Sequence, residues 1–179
     1  MTTLPTKFAT KVIPDGDKLR GGYYTPQPLA RFVAAWVAEA GPKVLEPSCG
    51  DGAILQHLAD MGTPTGIELL SSEATKASAV SGVDVVNDDF FSWFSKSKHE
   101  TFDGVAGNPP YIRYGSWGEV YRDGAFELMR AEGFKPTRLT NAWLPFVVAA
   151  LVAARDGGRI GLVLPAELLQ VGYAAPLRA

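Results

Sequence analysis

The sequence predicts an α/β domain with a mostly parallel sheet, and three observations lead there. Short apolar runs of strand length alternate with segments of helical periodicity, as parallel strands joined by right-handed crossovers require. Glycine and proline mark the junctions, as at Gly41-Pro42 and Gly157-Gly158. Polar residues close four successive strands, Glu46, Glu68, Asp89 and Asn108, which gathers them at the carboxyl edge of such a sheet, where ligands bind. Each is ambiguous alone, and their convergence is the signal.

Of the 179 residues, 46% are hydrophobic and 20% charged, a composition that folds and fills one core. Residues 1–20, punctuated by Pro5, Pro14, Asp15 and Gly16, read as a flexible lead-in, and 21–179 as one domain. No apolar run is long enough to span a bilayer, and Met1–Arg20 lacks the apolar centre of a signal peptide. A single cysteine, Cys49, suits a reducing compartment, so the expectation is a cytoplasmic protein without a membrane partner. His57 and His99 stand apart from any cluster with metal-ligand spacing, and no metal is expected. The net charge of −2 implies either a small substrate or a nucleic-acid surface outside these residues.

The first helix follows Gly21-Gly22-Tyr23-Tyr24-Thr25-Pro26. Thr25 is placed to cap it, with Pro26 at the first position, where a missing N–H costs nothing. Leu29, Phe32, Val33, Trp36, Val37 and Ala40 recur at helical spacing, so 26–40 reads as amphipathic, closed by Gly41-Pro42. Lys43-Val44-Leu45 is a short strand. Glu46-Pro47-Ser48-Cys49-Gly50-Asp51-Gly52 then makes a glycine-rich turn into an apolar helix, Ala53 to Met61. This turn has neither the three-glycine dinucleotide fingerprint nor a Gly-Lys-Ser/Thr phosphate loop. It suits a ligand with hydroxyls or an ammonium rather than a pyrophosphate.

Thr65–Glu68 is the second strand. Glu68 falls near the roughly twenty-residue separation at which a carboxylate grips ribose hydroxyls, and a solvated strand-end Glu accounts for it equally. Ser71 or Ser72 caps a helix running to about Val80. Asp84-Val85-Val86-Asn87 is the third strand, followed by Asp88-Asp89-Phe90. An acid followed by an aromatic can hold a purine amino group, or simply form a solvated turn over a core Phe. Phe91, Trp93 and Phe94 pack a short helix or turn, and residues 95–100 form a charged loop.

The fourth strand ends in the corner that organises the chain, Gly107-Asn108-Pro109-Pro110-Tyr111. Asn108 offers a neutral acceptor. Pro109 and Pro110 fix φ, push the preceding residue towards extended geometry and carry no N–H. Tyr111 adds a flat aromatic face. Two acceptors beside a stacking plane suit a planar ring with an exocyclic amino group, such as adenine. Further on, Tyr114, Trp117, Tyr121, Phe126 and Phe134 interleave with Arg113, Arg122, Arg130, Lys135 and Arg138, a pattern that can grip bases and phosphates. An amphipathic helix over Tyr121–Glu132 covers the same facts, since Glu119, Asp123, Glu127 and Glu132 nearly cancel the charge. Asn141 to Arg155 reads as an apolar helix with Pro145 near its start, Asp156-Gly157-Gly158 as a turn, Arg159 to Pro165 as the fifth strand and Ala166 onward as a helix.

Taken in order, Tyr23-Tyr24-Thr25-Pro26, the Glu46–Gly52 turn, Glu68, Asp89-Phe90 and Asn108-Pro109-Pro110-Tyr111 resemble the motifs of gamma-class adenine-N6 DNA methyltransferases from restriction–modification and related defence systems. The segment Gly157 to Pro165 is similar to that family's fifth strand. Asn-Pro-Pro-Tyr also occurs in protein-glutamine and RNA methyltransferases, which stand as alternatives together with a non-catalytic cofactor-binding subunit; the Tyr-Thr-Pro helix favours the DNA enzymes. The resemblance implies a Rossmann-like fold with strand order 3-2-1-4-5, truncated after the fifth strand. Residues 21–179 would then be a partial catalytic domain without its target-recognition region, inactive or weakly active alone.

It further implies S-adenosylmethionine as methyl donor. Thr25, beside Tyr24, would take the methionine carboxylate, and Glu46 with Pro47, Ser48, Cys49 and Gly50 the amino-acid end. Glu68 would take the ribose hydroxyls, Asp89 the adenine amino group, and Leu69 and Phe90 the faces of that ring. Asn108 and Pro109 would border the methyl group and, with Pro110 and Tyr111, form the catalytic corner. Glu68-Leu69-Leu70 departs from the family in lacking an acid two places after the ribose-binding Glu. The implied partners are DNA, held largely by regions outside these residues, and a specificity or nuclease domain or subunit.

Overall fold

The computed structural model describes residues 24–97 and 101–177. The lead-in at 1–20, the Gly21–Tyr23 stretch and residues 98–100 of the charged loop, with His99, lie outside the described residues. Among the described residues there are five strands: β1 (Val44–Glu46), β2 (Thr65–Glu68), β3 (Val86–Asn87), β4 (Phe102–Gly107) and β5 (Ala154–Leu162). They pair in parallel in the order β3-β2-β1-β4-β5, the order the motifs imply. The crossovers carry α1 (Gln27–Ala38, before β1), α2 (Leu55–Ala59), α3 (Ser71–Ser81), α4 (Phe90–Lys96), α5 (Glu119–Ala131) and α6 (Trp143–Ala153). No helix among the described residues is long and apolar enough to cross a membrane.

β1, β2 and β4 are largely buried on both faces, and their two-residue period divides the core. Val44 and Ala106 join Ala30, Val33, Val37, Ile54 and Leu58 beneath α1 and α2. Leu45 and Val105 face the other way, into a larger cluster with Phe90, Phe91, Trp143, Leu144 and Phe146 from α4 and α6. Each such fully buried Leu or Val contributes about 1.5–3 kcal/mol of transfer free energy. Pro145 sits in the first turn of α6, where its missing N–H breaks no helical bond.

Gly104 shows how closely α1 approaches the sheet. A Cβ there would strike Cγ1 of Val37 and lie 2.7 Å from the Arg159 carbonyl oxygen. Val37 is β-branched and stiff, and the carbonyl belongs to the ladder. Gly104→Ala is therefore expected to destabilise the fold by about 1–3 kcal/mol, read as a lower midpoint in urea unfolding.

Several local expectations are corrected. Thr25 does not cap α1: Pro26 occupies the N-cap position with no side-chain cap bond, and the Thr25 hydroxyl accepts instead from Asn108. Ser71 and Ser72 do not cap α3, whose N-cap is Leu70; Glu68 binds the Leu70 N–H. In α1 the buried stripe is Ala30, Val33, Ala34 and Val37, while Leu29, Phe32 and Trp36 are exposed. The latter three border a shallow apolar groove with Ile160, Leu162 and Leu164 beside β5.

The Asp156-Gly157-Gly158 turn is a bulge inside β5 rather than a break before it. Phe102 pairs with Ala154 and Gly104 with Arg159, so β5 carries extra residues between the two registers. Gly157 adopts φ +73 there, a left-handed conformation open mainly to glycine. The Arg155 Nε donates to Asp103 Oδ1 over 2.8 Å, and the Lys43 N–H donates to Oδ2 over 3.0 Å, clasping the bulge. The Arg155 contact holds the Asp103 carboxyl below its usual range, so this clasp persists at neutral pH and is lost only as pH falls through that lowered value. After β5 the chain forms 3-10 turns at Ala166–Leu169 and Gly172–Leu177, not the expected α-helix.

Candidate functional site

A cavity of about 550 Å³ opens at the carboxyl edge of the sheet. It is walled by residues from every motif singled out in the sequence: Tyr24, Thr25, Glu46, Pro47, Ser48, Cys49, Gly50, Glu68, Leu69, Asp89, Phe90, Asn108 and Pro110. Pro109 is buried and Tyr111 half-buried beside the cavity, and neither forms part of its wall.

The turn after β1 is built against the end of β2. The Cys49 N–H donates to the Ile67 carbonyl over 3.0 Å, and the Gly50 N–H donates to Glu68 Oε2 over 2.9 Å. Gly50 (φ +55) and Gly52 (φ +83) take left-handed conformations. A Cβ on Gly52 would lie 2.8 Å from the Ala77 Cα of α3, so only glycine lets helix and turn meet. Glu68 Oε1 accepts from the Leu70 N–H over 2.9 Å, so its carboxylate joins both strand-end turns. A carboxylate has about four acceptor directions, so capacity remains beyond these backbone bonds for a hydroxyl donor. From β3, Asn87 Nδ2 donates to the carbonyls of Glu68 and Leu69, fixing the segment that carries Glu68. Asp89 caps α4 through Oδ2, which accepts from the Ser92 N–H over 2.8 Å.

At the β4 corner, Asn108 Nδ2 donates to Thr25 Oγ1 over 3.2 Å. The Tyr111 hydroxyl lies 2.8 Å from both Asn108 Oδ1 and the Val163 carbonyl, one hydrogen shared between two acceptors. These contacts hold the Asn108 amide between the segment leading into α1 and the end of β5.

Two cavity-facing residues keep unsatisfied atoms. Glu46 is 2% exposed, and its Oε2 is buried without a hydrogen-bond partner among the described residues, as is Ser48 Oγ. Burial pushes the Glu46 carboxyl well above the usual carboxylate range, with Asp51 and Glu68 adding repulsion. Glu68 is raised by burial against the pull of the Leu70 and Gly50 N–H bonds. Asp89 is raised by burial against the Ser92 N–H. Burial likewise lifts the Cys49 thiol far above its ordinary value, which makes it an inert wall rather than a nucleophile. A buried acceptor without a donor costs free energy; a cationic amine entering the cavity would remove that cost. No group of His, Cys, Asp and Glu among the described residues is arranged to hold a metal ion.

The cavity also has walls that sequence reasoning did not assign to it. Phe146 of α6 lines it and stacks on Phe90, with centroids 5.3 Å apart and planes at 20°. The two therefore form one continuous aromatic surface. Ile112, Ser116, Trp117, Gly118 and Tyr121 line the part reached from α5. Of the arginines among these aromatics, Arg122 is turned inward, its guanidinium 4.2 Å from the Tyr114 ring centroid, while Arg113, Arg130 and Arg138 are exposed. This satisfies the amphipathic-helix reading of the segment.

The model of the family described as Eco57I restriction-modification methylase matches residues 59–179. The chain is 25% identical over 193 residues to the modification methylase CviBIII of Paramecium bursaria Chlorella virus NC1A, covering 99% of this chain and 46% of that protein. It is 32% identical over 171 residues to the type II methyltransferase M.TthHB8I of Thermus thermophilus, covering 89% and 38%. Among solved structures, the methyltransferase subunit of a type I restriction-modification system from Streptococcus thermophilus aligns with a TM-score of 0.66 at 24% identity, covering 85% of this chain and 36% of that one. A DrdV–DNA complex aligns with a TM-score of 0.68 at 16% identity, covering 90% and 22%. These structural likenesses are likenesses of fold. The chain spans less than half the length of these curated relatives.

Proposed function

The chain belongs to the Eco57I restriction-modification methylase family, and from that premise we propose that the protein carrying it methylates DNA at the N6 amino group of adenine, using S-adenosylmethionine. The observation that supports this best is the orphaned, buried Glu46 Oε2 in the same cavity as Asn108. One end of that cavity lacks a donor that a ligand ammonium would supply, and the other offers an oxygen to an amine. Glu46 and Ser48 would hold the amino-acid end of the donor, with Thr25 beside its carboxylate. Glu68 would accept from ribose hydroxyls through its remaining lone pairs. Asp89, Leu69, Phe90 and Phe146 would enclose the adenine ring. When bound, the cofactor supplies a methyl group activated by its sulfonium.

The chain's own residues prepare the acceptor. A free adenine amino group is a poor nucleophile because its lone pair is delocalised into the ring. Hydrogen bonds from its two hydrogens to Asn108 Oδ1 and the Pro109 carbonyl favour a pyramidal nitrogen, and they strengthen as positive charge grows there, which makes them catalytic rather than merely binding. The methyl group supplied there would replace one hydrogen of the amine held by Asn108 and Pro109, and the surplus proton would leave to water. Tyr111, with Pro110, would receive a base taken out of the duplex stack. With a net charge of −2, this chain is poorly suited to hold the phosphate backbone alone. We assign the basic DNA-reading surface to the remainder of the protein or to a specificity or nuclease partner.

The direct test incubates the full-length protein with labelled S-adenosylmethionine and unmethylated DNA, RNA or protein acceptors, followed by nucleoside and peptide analysis. Label in N6-methyladenine of DNA is the expected result. Label in methylcytosine, in RNA or on a glutamine amide would replace the reading.

A further inference from the structure

Resting on the cofactor reading above, we propose that Tyr121, seated on Gly118 at the start of α5, is a specificity-determining wall that stacks on the adenine ring of the bound cofactor. Of the five other rings that line the cavity, Tyr24 is tied through its hydroxyl to Glu73 Oε2 over 3.3 Å and the remaining four are already packed. Phe90, Phe91, Trp117 and Phe146 are 4–8% exposed and touch one another, with centroids 4.8 Å apart for Phe91–Phe146 and 6.4 Å for Phe91–Trp117. Tyr121 lines the same cavity yet is 39% exposed. Among the described residues it makes no hydrogen bond and no ring contact. An aromatic ring facing a ligand cavity without a partner is a stacking surface awaiting a planar group.

Its seat is constructed. Gly118 has φ −55, which any residue can adopt, so backbone freedom does not explain the glycine. A Cβ there would lie 3.2 Å from Tyr121 Cδ2 and 3.5 Å from Cε2, and the missing side chain is where the ring rests. The surrounding segment is braced independently. Arg122 stacks on Tyr114, donates to the Trp117 carbonyl and faces Glu119 Oε1 across 3.5 Å. The frame is fixed and one ring in it is left open.

The location selects the cofactor's ring over the target base. Trp117 packs against Phe91, and a Cβ on Gly124 of α5 would lie 3.5 Å from the Phe91 Cβ. Phe91 adjoins Phe90 and Asp89 in α4, the end of the cavity assigned above to the adenine. Phe90 and Phe146 form one aromatic surface there, and Tyr121, three residues before Gly124 on the same helix, lines the cavity from the side that abuts it.

Calorimetry on the full-length protein with S-adenosylhomocysteine and with adenosine tests this, alongside thermal unfolding of each variant. Tyr121→Ala is expected to weaken both ligands by about tenfold, within the range measured for base–aromatic stacking. Tyr121→Phe keeps wild-type affinity, because the ring face and not the hydroxyl makes the contact. Gly118→Ser retains a favourable N-cap but pushes the ring from its seat, and weakens both ligands by a smaller factor at unchanged unfolding temperature. Wild-type affinity in Tyr121→Ala would overturn the inference. So would a Tyr121→Ala variant that instead loses only extrusion of a 2-aminopurine target in duplex DNA. If the wild type itself binds neither ligand, the cofactor reading fails first and this inference fails with it. If Glu46→Gln loses affinity while Tyr121→Ala does not, this inference fails alone.

Discussion

Replacing Asn108 by alanine is expected to lower the proposed methyl transfer to DNA by about a hundredfold to a thousandfold, the loss that follows when one preorganised polar group facing developing charge is removed. Cofactor binding is expected to stay largely intact. Asn108 touches protein through its amide, to Thr25 and Tyr111, while the buried atoms lacking a hydrogen-bond partner in this cavity sit elsewhere, at Glu46 and Ser48. Single-turnover transfer with labelled cofactor measures the first quantity and calorimetry with S-adenosylhomocysteine the second. Equal turnover in variant and wild type would remove Asn108 from the reaction. Parallel loss of turnover and cofactor affinity would make it a binding residue instead.

The second large effect concerns charge. Glu46→Gln is expected to weaken S-adenosylhomocysteine binding by roughly thirtyfold or more, as truncating one partner of a buried charged pair costs about 2–5 kcal/mol. Burial, with Asp51 and Glu68 nearby, raises the Glu46 carboxyl in the free protein. Below that raised value Glu46 is neutral and a ligand ammonium gains little from it. Above it the carboxylate forms and the ammonium is held. Affinity therefore rises with pH through the raised Glu46 range, and binding near it releases a proton. The same shift acts oppositely on the empty fold, because the unfolded state ionises first and stability falls as pH rises from the ordinary carboxylate value to the raised one. Calorimetry in buffers of differing ionisation enthalpy reads the released proton. Glu68 and Asp89 are raised as well, so the Gln variant should flatten only the Glu46 part of the profile. An unchanged profile in Glu46→Gln would contradict this account.

The strand-end carboxylates and the Asn108 corner were legible because local chemistry carries them. An apolar run followed by a polar, glycine-rich or proline-rich tip reads as a strand leaving a sheet, whatever lies elsewhere. The bulge at Gly157 was not legible. Asp-Gly-Gly has the chemistry of a turn, and only pairing with Phe102 and Gly104 on β4 shows that the strand continues across it. Phe146 was hidden for another reason. It lies in an eleven-residue helix with eight buried residues, where one more apolar side chain sends no signal, and tertiary packing alone brings it against Phe90. Tyr121 falls between these cases. Its place among aromatics and arginines was visible, but the inward stacking of Arg122 on Tyr114 is a fact of three dimensions.

The shared hydrogen of the Tyr111 hydroxyl bears on the proposed acceptor at Asn108. When the Val163 carbonyl takes it, the phenol makes no demand on Asn108 Oδ1. When Asn108 takes it, one lone pair of that oxygen is engaged inside the protein. Val163 follows directly on β5, the outermost strand, and its own N–H donates to the Gly107 carbonyl. One phenol thus links the edge of the sheet to the acceptor strength of Asn108.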